Sequence, residues 1–189
     1  MDECKGIYFL LDAFSEVIKQ YNNVRLLIIG DGNINKCFEY CKDIWSKVTF
    51  TGFIQKEQLI NFYQIADLGI VPSIYDHCPY SILEMISFKI PLILSNIEGL
   101  NEMLDESQCL FLNPEILENG DILFTKKMIS EAILSFLQNE NYSKNLANNA
   151  YKVIDNKFSA QKMAKFMVDA FYQTKSEYST ITLVPNTEC

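Results

Sequence analysis

Histidine is almost missing from this 189-residue chain: His77 is the only one. The six cysteines (Cys4, Cys37, Cys41, Cys78, Cys109 and Cys189) never take the paired CxxC spacing of a zinc site. Cys37 and Cys41 share a helix face, but a lone histidine leaves them without the further ligands a metal needs. The expectation is no metal site, with reduced thiols of which several are buried. No apolar run approaches the roughly 20 residues of a membrane-spanning helix, and the first residues do not read as a signal peptide. Membrane contact is expected to be peripheral at most, and the location cytoplasmic. Cationic residues are outnumbered, 16 against 24 acidic, for a formal charge of −8. That balance excludes a surface built to hold nucleic acid. It still leaves room for a local basic spot that takes one diphosphate.

What the chain does have is apolar mass: 49% of its residues are hydrophobic, enough for the core of one domain. Residues 6–21 place Leu10, Leu11, Phe14, Val17 and Ile18 at helical spacing. Residues 24–29 form a continuous apolar run, which reads as a strand buried on both faces. The alternation continues with a helix over 33–47 capped by Asn33 or Asn35, a strand over 48–51, a helix over 56–66 and a strand over 68–71. A helix over 82–88, a strand over 91–95, a helical turn over 101–104 and a strand over 109–112 complete it. Strands alternating with helices imply right-handed crossovers and an α/β, doubly wound parallel sheet of Rossmann-like type. After Pro114 only helices are expected, over 125–139, 143–155 and 159–175. One domain over 1–175 and a flexible tail over 176–189 follow from this reading.

In such a sheet, ligands bind beyond the carboxyl ends of the strands. The notable loops fall there: Gly30-Asp31-Gly32, Gly52-Phe53-Ile54, and Ser73 through Ser81. Glycine and polar residues must also turn the chain at strand ends, so Gly30 and Gly32 read as a turn as readily as a site. Gly30-x-Gly32 lacks the third glycine of a dinucleotide fingerprint, and Thr51-Gly52 stands where that class carries an acid. Asp76 and Glu84 stand out more. Asp76 lies in the loop after an apolar strand, and Glu84 lies inside the helix that follows, about two turns in. Free backbone N–H groups and the positive end of the helix dipole lie between them, a seat for a phosphate. A carboxylate on each side can accept hydrogen bonds from sugar hydroxyls.

This arrangement resembles the acid-x7-acid signature of retaining glycosyltransferases of GT-B fold and family 4 type, which usually read Glu-Pro-Phe-Gly-x-x-x-x-Glu-Ala after Pro-Ser. The chain keeps Pro72, Ser73 and Glu84, shortens the first acid to Asp76, and has Pro79 for the usual glycine. Lys5-Gly6, Gly30-Asp31-Gly32, the segment from Val48 to Ile54, and Gly99 with Glu102 are similar to further motifs of that family, in the same order. The likeness spans residues 4–173 and implies the donor-binding half of a GT-B fold, with C-terminal helices.

The resemblance implies roles residue by residue. Lys5 would pair with the donor diphosphate as a point charge. Glu84 would take the two ribose hydroxyls. Asp76 would hold hydroxyls of the transferred sugar and favour positive charge at its anomeric carbon. Tyr80 and Ser81 would offer backbone N–H groups to the distal phosphate, whereas Pro79 has none to offer. Gly30, Gly32, Gly52, Phe53 and Ile54 would line the nucleoside. His77, where the family usually has proline, reads as a loop residue or as a contact to the donor. Phe62, Tyr63, Phe166 and Tyr172 read as core. The expected ligand is a nucleoside-diphosphate sugar, with no separate cofactor. The acceptor domain, the strand before Lys5 and its partner arginine are expected to be missing, and to be supplied in cis or by a separate chain. The alternative is a non-catalytic nucleotide-sugar-binding or partner module.

Overall fold

The computed structural model describes residues 3–177. These fall into two compact units that divide between Lys152 and Val153, and among the described residues the first contains every strand and every expected site residue. A short 3-10 turn, Glu3–Lys5, leads through Gly6 into α1, Ile7–Gln20. Helix α1 buries Ile7, Leu10, Leu11, Ala13, Phe14 and Val17, the face its spacing foretells. Strand β1 (Leu26–Ile28) is followed by α2 (Ile34–Tyr40), a 3-10 turn at Trp45–Lys47, and β2 (Val48–Phe50). Next come α3 (Lys56–Ile65), β3 (Gly69–Val71), α4 (Tyr80–Ser87), β4 (Leu92–Ser95), α5 (Leu100–Met103) and β5 (Leu110–Leu112). A hairpin of β6 (Glu115–Ile116) and β7 (Ile122–Leu123) precedes α6 (Lys126–Gln138) and α7 (Glu140–Lys157). The second unit holds the end of α7 and then α8 (Ala160–Glu177).

All strands expected from the sequence form, and all pair in parallel. β1 pairs with β2 in the register Leu26↔Val48, and β3 with β4 and β4 with β5 in the registers Gly69↔Leu92 and Ile93↔Leu110. The hydrogen bonds give two ladders, β1-β2 and β3-β4-β5, rather than one continuously paired sheet. A single apolar core still serves both: Leu26, Ile28 and Val48 belong to the same buried cluster as Ile93 and Leu112, with the inner faces of α1 and α6. β4 is central in its ladder and all four of its residues are buried, as its unbroken apolar run requires. Each fully buried Leu or Ile here contributes roughly 1.5–3 kcal/mol through the water it sheds. Lys126 ties α6 to α1 through Asp12 at 3.0 Å and Glu16 at 3.3 Å, an exposed arrangement that adds little to the burial.

Several boundaries differ from the sequence reading. The helix expected over 33–47 ends at Tyr40, and Cys41 and Ile44, both buried, turn the chain into β2 instead. Asn33, rather than Asn35, caps it by accepting from the Lys36 N–H at 3.2 Å. The stretch after Pro114 is not helical throughout, because β6 and β7 form an antiparallel hairpin there. Its turn holds Gly120 at φ 86°, and the Asn119 side-chain amide bridges it, donating to the Asp121 carboxylate at 2.6 Å and accepting the Asp121 N–H at 3.0 Å. Helix α7 starts at Glu140 rather than 143. Of the expected tail, Ser176 and Glu177 are the last residues of α8, and 178–189 lie outside the described residues.

Candidate functional site

The expected residues collect at the carboxyl ends of the strands, in two groups. The first is built on the loops after β1 and β2. Gly30 donates its N–H to the Gly52 carbonyl at 3.0 Å, and the two residues form an isolated antiparallel bridge. The Asp31 carboxylate accepts the Phe53 N–H at 2.9 Å. Phe53 therefore stands 74% exposed as a residue on a backbone held by that bond, next to the half-buried Ile54. Gly30, Gly32 and Gly52 all have positive φ, at 128°, 150° and 68°. Asp31 had no assigned role in the sequence, and it already occupies one of the backbone N–H groups expected to face the nucleoside.

The second group surrounds the loop between β3 and α4. Lys5 Nζ lies 2.6 Å from Asp76 Oδ2, with the lysine half-exposed and the aspartate side chain 12% exposed. Buried Ser73 reaches the same oxygen at 3.4 Å, and the His77 N–H donates to Asp76 Oδ1 at 3.1 Å. Both carboxylate oxygens are thus held, and the aspartate points where a cation waits. His77 lies on the surface, its Nε2 2.8 Å from the Tyr75 hydroxyl and the two rings edge to face.

Two glycines set this loop in place. Gly6, at φ 65°, brings the start of α1 so close to the loop that a Cβ would sit 1.8 Å from the Pro72 carbonyl oxygen. Gly99, at φ 89°, approaches from the other side, where a Cβ would meet the Asp76 carbonyl oxygen at 2.6 Å and His77 Cα at 2.7 Å. The Cys4 carbonyl accepts the Ile74 N–H at 2.8 Å and completes the attachment. Lys5-Gly6 and Gly99, distant in sequence, are therefore the two walls of one acidic loop.

Helix α4 begins at Tyr80, two residues before the expected start, with Pro79 at the cap position and no side chain capping it. Tyr80 and Ser81 are exposed and no side chain caps them, whereas the N–H of buried Ile82 is taken by the Pro79 carbonyl at 3.0 Å, so the first two N–H groups of the helix are the ones left for an anion. Glu84 is the fifth helical residue, only a little over one turn in. Its Oε2 accepts the Tyr63 hydroxyl at 2.8 Å. Tyr63 had read as core, because spacing reveals a buried ring and not the partner of its hydroxyl. Burial foremost, and then the neighbouring Glu84 carboxylate, push that hydroxyl well above the usual tyrosine range.

Among the described residues, no three His, Cys, Asp or Glu side chains gather as a metal site, and no helix is long and apolar enough to cross a membrane. Cys37, Cys41 and Cys109 are buried thiols outside any disulfide, and Cys78 is exposed in the acidic loop. Surface depressions of about 420 and 390 Å³ lie elsewhere, around Phe38 and Trp45 between α2 and β2.

The acid–lysine pair and the helix N-terminus without a side-chain cap thus lie beyond the carboxyl ends of parallel strands, the place where open α/β sheets take their ligands. The chain belongs to the glycosyl transferases group 1 family, which it matches over residues 1–153. It is 26% identical over 172 residues to an uncharacterised glycosyltransferase of Methanocaldococcus jannaschii, covering 88% of this chain and 41% of the relative. It is 24% identical over 159 residues to the capsular polysaccharide biosynthesis glycosyltransferase CapM of Staphylococcus aureus, covering 83% and 40%. The chain thus spans about two fifths of the length of these curated relatives. Its fold is that of the C-terminal domain of a group 1 glycosyltransferase from Francisella tularensis, at TM-score 0.71 and 16% identity, covering 85% of this chain and 83% of that one. Anabaena HepE, solved in complex with UDP-glucose, superimposes at TM-score 0.77 and 15% identity, covering 92% of this chain and 46% of that one. The expected Rossmann-like half of a GT-B enzyme is what folds.

Proposed function

We propose that the chain is the donor-binding half of a retaining glycosyltransferase that moves a hexose from a nucleoside-diphosphate sugar to an acceptor hydroxyl in glycan synthesis. The observation that carries this reading is the Lys5–Asp76 pair, 2.6 Å apart, four residues ahead of the open N-terminus of α4. Lys5 and the Tyr80 and Ser81 N–H groups stabilise the charge that grows on the departing diphosphate. Asp76 faces the sugar and favours positive charge at the anomeric carbon as the bond to the phosphate oxygen breaks. Glu84 accepts both ribose hydroxyls, and the Gly30–Gly52 bridge and Phe53 flank the base. These are oriented, charge-bearing groups, so the reaction rests on electrostatic stabilisation. UDP is the first base to try, since HepE was solved with UDP-glucose. The acceptor would be held by a further domain, in cis or on a separate chain, in the length of the relatives that this chain does not span.

The test is calorimetric titration of the full chain with UDP, GDP, ADP and NAD. One nucleoside diphosphate should bind saturably and NAD should not. Replacing Glu84 with alanine should weaken that binding at least tenfold, the worth of one or two hydrogen bonds to a charged group. Unchanged affinity in that variant removes Glu84 from the ribose, and no binding of any nucleoside diphosphate overturns the reading.

A further inference from the structure

We infer that Tyr63 is a positioning residue for the donor: its hydroxyl locks the Glu84 carboxylate in the orientation that receives the ribose diol. The inference rests on the reading of Glu84 as the ribose ligand and deepens it. Helix α3, which carries Tyr63, has no fully buried residue, so burial alone does not explain how it is attached. Leu59, Phe62 and Tyr63 are half-buried, and Tyr63 adds two specific contacts to that partial burial. The Tyr63 ring packs against Phe88, just past the end of α4, with centroids 5.5 Å apart. The Tyr63 hydroxyl meanwhile donates to Glu84 Oε2 at 2.8 Å. Ring and hydroxyl together grip α4 at two points, one of them the functional carboxylate.

The chemistry of the bond fits this role. Glu84 Oε1 accepts no hydrogen bond among the described residues, and Oε2 keeps one lone pair beyond the tyrosine bond. Two vicinal hydroxyls need just such a pair of acceptors side by side. A glutamate side chain that is free to rotate must lose its rotamer freedom when the ligand arrives, and Tyr63 removes that cost beforehand. The raised ionisation of the tyrosine keeps its hydroxyl protonated, and hence donating, throughout the neutral range.

The experiment compares ribose recognition with affinity. The full chain is titrated with UDP, GDP and ADP, each against its 2′,3′-dideoxy counterpart. Wild type should favour the ribose form of the nucleotide it binds. Tyr63→Phe, which keeps the ring against Phe88, should lose about tenfold of that preference, the size of one charged hydrogen bond. Its affinity for the dideoxy form should stay unchanged. Glu84→Asp, which draws the ribose ligand itself back by one methylene, should lose the preference as well and sets the full loss against which Tyr63→Phe is read. An undiminished preference in Tyr63→Phe, or an equal loss for both ligands, overturns the positioning role and leaves the Glu84 reading standing. A wild-type chain indifferent to the ribose hydroxyls overturns the Glu84 reading and this inference together.

Discussion

Gly6→Ala is the perturbation that weighs the acidic loop against the rest of the fold. A Cβ at this position lies 1.8 Å from the Pro72 carbonyl oxygen, where ordinary contact begins near 3.4 Å, so α1 and the loop must part by roughly 1.6 Å. Such a movement breaks the bond from the Ile74 N–H to the Cys4 carbonyl and draws Lys5 away from Asp76. Left-handed backbone costs an alanine about 1–2 kcal/mol, and a lost buried-edge hydrogen bond about 1 kcal/mol more. With residual overlap, the total should reach about 3–5 kcal/mol, at the severe end for a single substitution. Gly120→Ala is the matched control, since it has φ 86° and nothing within 4 Å of the added methyl. It should show the backbone cost alone, about 1–2 kcal/mol. Urea denaturation of the two variants and wild type gives both numbers. If Gly6→Ala costs no more than Gly120→Ala, the close approach of α1 to Pro72 is refuted, and the placement of Lys5 goes with it.

The buried thiols make a pH prediction. Burial, ahead of neighbouring charge, pushes Cys41 up to about 11 and Cys109 up to about 12, against an ordinary value of 9.0. The folded state holds these protons more tightly than the unfolded chain, so their contribution is intact below about pH 9 and is lost as pH rises from there towards 11–12. Denaturation midpoints should fall across that window, and a flat profile contradicts the burial. Asp31→Ala frees the Phe53 N–H and should cost the global fold only about 0.5–1.5 kcal/mol. It should nevertheless speed chymotrypsin cleavage after Phe53 severalfold, and an unchanged cleavage rate would show that Asp31 does not hold that loop.

How much of this was readable in advance follows from what each signal measures. Apolar runs located β1, β3, β4 and β5, because a strand largely covered on both faces has little polar side to confuse the pattern, whereas β2, with Thr49 exposed, was marked by its β-branched and aromatic residues ahead of Gly52. The same logic failed after Pro114, where the hairpin strands are two residues long and exposed or half-exposed, too short for any period. It also overran α2, since Cys41 and Ile44 continue an apolar spacing after the helix has ended. The acidic loop was legible through its residue types and spacing. Its walls were not derivable from spacing, because Gly6 meets Pro72 and Gly99 meets Asp76 and His77 only once the chain has folded. Tyr63 and Asp31 stayed hidden for a related reason. Each acts through one polar atom whose partner lies 21 or 22 residues away, and local patterns carry no trace of such a pairing.

The Lys5–Asp76 contact decides how the candidate site should be understood. Two opposite charges 2.6 Å apart could be read as a stabilising brace, or as a lock that keeps the phosphate out. Neither fits the exposure. Half of the lysine side chain is in water, and pairs of that kind contribute only about 0–1 kcal/mol. A brace so weak cannot hold α1 to the loop, which instead depends on the Gly6 approach and the Cys4 carbonyl. A lock so weak cannot resist a diphosphate, whose charge exceeds that of one carboxylate. The ammonium group has three donors, and the aspartate uses one of them. Lys5 can therefore turn its remaining donors to phosphate while Asp76 stays anchored by the His77 N–H and Ser73. On the proposed donor-binding reading the pair is alignment: it would set a cation and a carboxylate at adjacent, fixed positions before a substrate that carries charge of both signs at its reacting bond.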